Sequence, residues 1–160
     1  SACLKQGGRV ITDRRYFVCE GGRYDGYITS GPASKVNAKE CPNINGTYSL
    51  RMESGETALL TLYTRRAGEE VNYGPVLPNT EIYFPADGVA RDVSQDGVSG
   101  QVSFRCVKKS LEMLANIDGK GSTKLRMTLV DAKHLKVTSS NPNLGFSGGI
   151  YELVEGEPLN

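Results

Sequence analysis

Four cysteines (Cys3, Cys19, Cys41 and Cys106) and a single histidine, His134, are the side chains from which chemistry would start in this 160-residue chain. No two of the cysteines stand in Cys-x-x-Cys spacing, and one imidazole cannot complete the usual structural zinc set, so no metal site is expected. An even number of cysteines without metal spacing points instead to two disulfides and an oxidising compartment. Three pairings exist. The favoured one joins Cys3 to Cys19 across a short local loop and Cys41 to Cys106, tying the lead-in of one strand to a strand in mid-chain. Closing the longer loop is worth about 4 kcal/mol in the chain-entropy model. The competing reading keeps all four as reduced core cysteines.

The lone histidine removes most hydrolytic machinery that needs an imidazole base. His134 follows a turn at Asp131–Lys133 and reads as an exposed structural residue. No Gly-x-Ser-x-Gly, Walker or dinucleotide-binding pattern is present. The acid pairs Glu69-Glu70 and Glu155-x-Glu157 lie beside glycines in loop or terminal stretches and read as solvated surface, not as the fixed carboxylates a glycosidase needs. Asp87, Asp92 and Asp96 share one segment, but without the alternating ligands of a calcium loop. The expectation is therefore a non-enzyme without a cofactor. Asn45-Gly46-Thr47 is a formal glycosylation sequon. The residues singled out for binding are Tyr63, Arg65, Arg105 and Arg126. Arg105 alternates with Phe104 and Cys106, Arg126 alternates with Leu125 and Met127, and Tyr63 and Arg65 share a face of the 57–65 strand; inside a partly polar barrel they would hold an anionic head group. The competing reading makes them the polar outer face of half-buried strands.

The elements that would position these residues are short strands. Turn signals recur at Gly21-Gly22, Asn45-Gly46, Asp87-Gly88, Asp96-Gly97, Asp118-Gly119 and Gly148-Gly149. Period-two segments lie between them. Strands are expected at 15–19, 24–29, 47–53, 57–65, 80–84, 101–108, 111–117, 123–130, 134–139 and 149–154. The clearest hairpin joins 123–130 to 134–139, with Leu125, Met127, Leu129, Leu135 and Val137 on one face. Segment 108–117 fits a strand or a short helix, with strand preferred. Residues 66–100, which hold Pro75, Pro78 and Pro85, read as long loops around one short strand. Residues 30–46 read as an irregular connection. The fold class is all-β: one domain over 1–160, with 1–40 an N-terminal hairpin extension and 41–154 a single antiparallel β-barrel or barrel-like sandwich. A net charge of +1 gives no pull toward nucleic acid. The longest apolar runs, such as Ala58-Leu59-Leu60, fall far short of a membrane span.

Three resemblances add to this. Ser1-Ala2-Cys3 resembles the end of a bacterial lipobox, which would make Cys3 a lipid anchor to the outer membrane. Gly46-Thr47-Tyr48 opening the first main strand, with Gly148-Gly149-Ile150-Tyr151-Glu152-Leu153-Val154 near the end, resembles the calycin-like (lipocalin-like) pattern of small bacterial lipoproteins over about residues 41–154. Tyr48 stands where that family has Trp, and 148–154 holds no basic residue to cover it. That resemblance implies an up-and-down barrel that binds a small hydrophobic ligand. Tyr16-Phe17-Val18-Cys19 and Ser147-Gly148-Gly149-Ile150-Tyr151 are similar to segments of periplasmic inhibitors of c-type lysozyme, with longer spacing.

These readings converge on a secreted or periplasmic, non-enzymatic binding protein holding a small hydrophobic or amphipathic ligand in its barrel. The alternative is a protein-interaction module of the cell envelope, inhibitor-like, acting through surface loops. Its partner would be an envelope protein, and any membrane attachment would run through Cys3.

Overall fold

The computed structural model describes residues 2–13, 16–22, 28–30, 38–67, 70–144 and 147–155, with side chains described outside 2–3, 12–13, 16–18, 28–30 and 155. One helical turn, Ala2–Lys5, precedes β1 (Arg9–Asp13), β2 (Tyr16–Glu20) and β3 (Ile28–Ser30), which form a three-stranded antiparallel sheet. A 3-10 turn at Ala38–Glu40 then leads to the main sheet. Its strands are β4 (Gly46–Arg51), β5 (Thr57–Ala67), β6 (Glu70–Gly74), β7 (Phe84–Pro85), β8 (Arg91–Gln95), β9 (Val98–Val107), β10 (Ser110–Ile117), β11 (Gly121–Asp131), β12 (His134–Ser139) and β13 (Gly149–Glu155).

The spatial order is β7-β6-β5-β4-β13-β12-β11-β10-β9-β8, and the ten antiparallel strands curl into a half-barrel. The last strand returns to the first, so Leu153 pairs with Tyr48 and Glu152 with Ser49. The chain is all-β as expected, and the antiparallel barrel or barrel-like sandwich expected beside an N-terminal hairpin extension takes the form of a half-barrel curled from one sheet.

Alternation sets the two faces. Along β11 the buried residues are Thr123, Leu125 and Met127, while Lys124 and Arg126 are exposed. Tyr48, Leu62, Tyr73, Phe104, Leu125 and Leu135 all belong to one inward-facing cluster. Complete burial of such side chains is worth about 1.5–3 kcal/mol each. Residues 110–117 are a strand in spite of their helix-forming composition, because β9 and β11 flank them along their length and tertiary pairing overrides propensity.

Three expectations are corrected. The stretch 66–100 is not loops around one short strand, since it contains β6 and β8 as full ladder members. The strand expected at 80–84 is reduced to Phe84–Pro85. The strand β1 also stands where none was expected. Of the segment expected at 24–29, only 28–29 falls among the described residues, within β3.

The ends of the curled sheet, β7 and β8, are consecutive in the chain, and the residues between them lace the two halves together. The Ala86 N–H donates to Val71 O at 2.8 Å and the Gly88 N–H to Phe104 O at 2.7 Å. Asp87 forms a bridge with Arg105. Beneath this lacing the Tyr73 and Phe104 rings meet with centroids 5.9 Å apart. The expected Cys41–Cys106 disulfide fixes the same place, joining positions separated by 65 in sequence with Cα atoms 5.0 Å apart. Cys19 is also disulfide-bonded. The side chain of Cys3, and with it both the Cys3–Cys19 pairing and the lipid anchor, lies outside the described residues.

Candidate surface interaction site

The lead-in Cys41–Asn45 anchors the region around the candidate site. It runs beside β5 with no regular strand geometry, and side chains replace the missing ladder. The Ile44 N–H donates to Thr64 Oγ1 at 2.7 Å, and the Thr64 hydroxyl donates to Ile44 O at 3.1 Å. The Thr64 N–H donates to Asn45 Oδ1 at 3.0 Å. The Tyr73 hydroxyl donates to Pro42 O at 2.7 Å, and burial pushes its pKa well above the ordinary tyrosine value. Arg66 donates to Cys41 O, Asn43 Oδ1 and Ala38 O. Asn45, first residue of the sequon, is thus buried with its amide oxygen engaged. That geometry does not present it for glycosylation.

This frame holds β5 so that Leu62 and Thr64 face inward while Tyr63 and Arg65 face outward. Gly74 pairs with Tyr63 in register. A Cβ at Gly74 would lie 2.6 Å from Ile82 O and 2.9 Å from Tyr83 Cγ, so only glycine lets the 75–83 loop fold back against the outer face of β6. That loop is pinned by the Val76 N–H donating to Ile82 O at 2.8 Å. The Arg65 guanidinium then sits 3.7 Å over the Tyr83 ring and bonds Glu81 Oε2 at 2.8 Å. The Glu81 bond raises the Arg65 pKa further. Burial raises that of Tyr83, and the Arg65 charge offsets part of this. Ile82 stands exposed at the edge of the cluster. Stacked Tyr and Arg side chains beside an exposed aliphatic residue make a patch of the chemistry enriched in protein interfaces.

Arg105 and Arg126 belong to a different place. Both face outward, alternating with the buried Phe104 and the buried Leu125 and Met127. Glu112 lies between them in register. Its carboxylate accepts from Arg105 Nε at 2.7 Å. The row continues to Asp87, which takes a bidentate pair of bonds from Arg91 at 2.9 and 2.7 Å. The Arg105–Glu112 pair stitches the outer face across β9 and β10, and Arg126 stands next to Glu112 in register on β11. Tyr63 and Arg65 therefore share one face of β5, Arg105 and Arg126 flank Glu112 elsewhere on the outer face, and none of the four lines the interior.

Elsewhere, His134 Nδ1 lies 2.8 Å from Asp131 Oδ1 at the β11–β12 turn, an exposed structural contact. The Lys133 N–H and His134 bonds hold the Asp131 pKa below its usual value. A surface hollow of about 380 Å³ is lined by Asp92, Ser94, Ser99, Gln101 and Asp118, among others. There the Asp92 carboxylate accepts from Gln101 Nε2 at 2.9 Å. Among the described residues no group of three or more His, Cys, Asp or Glu side chains could hold a metal ion. Sequence reasoning found Tyr63 and Arg65 but not Tyr83, Ile82 or Glu81, whose part depends on a loop folding back over a glycine. Compared with known proteins, the chain matches no family model, no curated protein and no solved structure.

Proposed function

We propose that this chain is an exported, non-enzymatic protein-interaction domain, and that it binds a partner protein through the outward patch of Tyr63, Arg65, Tyr83 and Ile82. The observation that carries the reading is the Arg65 guanidinium stacked 3.7 Å over Tyr83 on the outer face of β5 and β6. Two disulfide-bonded sites, at Cys19 and at Cys41–Cys106, support an oxidising compartment, either the periplasm or the cell exterior. The inward-facing side chains meet one another in one cluster. That favours a surface function over a ligand held within the barrel, the calycin-like expectation.

The test is affinity capture from envelope extracts with the immobilised protein, alongside Tyr83→Ser and Ile82→Ser. A partner retained by the parent and lost from both variants, with unchanged circular dichroism, is the expected result. Native mass spectrometry checks the other side: a lipid or other apolar molecule leaving with the 17.3 kDa chain would restore the interior-ligand reading.

A further inference from the structure

The ladder between β5 and β6 covers only Tyr63–Ala67 of β5. It stops because Gly74 is followed by Pro75, which has no N–H to donate. Residues 57–62 of β5 pair with β4 on one side only. Among the described residues, nothing hydrogen-bonds to their other edge.

The direction of the free groups follows from two contacts. The Thr64 N–H points toward the β4 side, to Asn45. Alternation then turns the N–H and C=O groups of Thr57, Leu59 and Thr61 to the open edge. The Thr47 and Thr61 hydroxyls, 2.9 Å apart, agree with this, since Thr47 and Thr61 would be a non-hydrogen-bonded pair, whose side chains approach most closely.

Natural edges are usually defended by charge, proline or a bulge. The edge at β8, Arg91-Asp92-Val93-Ser94-Gln95, carries two charged residues. The edge at Thr57-Ala58-Leu59-Leu60-Thr61-Leu62 carries no charge, no proline and no glycine. Leu59 projects from it 67% exposed.

We infer that this edge is completed by a second copy of the chain, β5 against β5 in antiparallel register about a two-fold axis at Leu59. The residues that offer free backbone groups read Thr-Leu-Thr in both directions. Thr57 therefore meets Thr61 of the second copy, and Leu59 meets its own equivalent. A two-fold interface must be self-complementary in this way, whereas a foreign peptide would not require the symmetry. The same register sets Ala58 opposite Leu60 on the inner face, which covers two side chains the open half-barrel leaves half-buried. This contact leaves the Tyr83 patch unused, so it stands or falls apart from the proposed function.

The experiment is sedimentation equilibrium of the oxidised full chain from micromolar to millimolar concentration. The expected mass rises from 17.3 kDa toward twice that value. Leu59→Lys and Leu59→Glu each set like charges face to face across the axis and are expected to stay monomeric, while their equimolar mixture restores the dimer. Amide exchange at Thr57, Leu59 and Thr61 should slow as parent concentration rises, with the β8 amides unaffected. A parent that stays monomeric throughout, a dimer that survives both substitutions, or a mixture that stays monomeric overturns the inference.

Discussion

Replacing Thr64 by Val tests how the strandless lead-in is held to the sheet. Valine keeps the shape and removes the hydroxyl. That hydroxyl accepts from the Ile44 N–H at 2.7 Å and donates to Ile44 O at 3.1 Å, and both residues are buried, Ile44 completely. The substitution thus strands one buried donor and one buried acceptor. Each unsatisfied group costs about 1–3 kcal/mol, and the added methyl returns about 0.8 kcal/mol of apolar burial. The net loss should be about 1–5 kcal/mol, a large share of the 5–15 kcal/mol, roughly, of a typical domain. Thr64→Ser keeps the hydroxyl, loses one methyl and should cost about 1 kcal/mol. Urea unfolding under oxidising conditions, followed by far-ultraviolet circular dichroism or by the eight tyrosines in this Trp-free chain, measures both. Exchange at the Ile44 amide should accelerate in the valine variant alone. If valine costs less than serine, the hydroxyl is not what holds the lead-in, and the reasoning fails.

Removing the 41–106 bridge as a Cys41→Ala, Cys106→Ala pair should lower the urea stability by about 4 kcal/mol, and an unchanged midpoint would show that the lacing at 86–88 suffices alone. Lys108 and Lys109 turn the β9–β10 hairpin with φ of 49° and 64°. Since a left-handed conformation costs a residue with a Cβ about 1–2 kcal/mol, Lys108→Asn with Lys109→Gly should raise the melting temperature. Asp131 has its folded pKa lowered by the Lys133 N–H and by His134. Its contribution to stability is therefore present above the unfolded pKa and lost as pH falls through the folded one. A carboxyl NMR titration should place its midpoint below that of an unfolded aspartate, and a midpoint at or above it would refute the hydrogen-bond account.

The sequence by itself determined the elements whose own side chains announce them. Leu125, Met127, Leu129, Leu135 and Val137 mark a hairpin face without reference to anything distant, whereas four cysteines without metal spacing favour bridges and leave three pairings for the structure to decide between. The strands β6 and β8 were hidden because Glu-Val-Asn-Tyr-Gly and Arg-Asp-Val-Ser-Gln offer only one or two apolar residues each. Their strand state is conferred by backbone bonds to β5 and β9, and no local pattern records a partner. Segment 110–117 is buried on both faces through most of its length, which erases alternation, so only its neighbours decide that it is extended.

The candidate site divides along the same line. Alternation marked Tyr63, Arg65, Arg105 and Arg126 as facing one way, but inside and outside are labels that only the curl of the sheet assigns. Tyr83 reaches Arg65 because a loop between prolines folds back over Gly74, a contact across 18 residues of chain that no periodicity encodes. The sequence determines which face a residue shares with its neighbours. The tertiary structure decides what that face meets, because register and curvature are set by pairings between segments far apart in the chain.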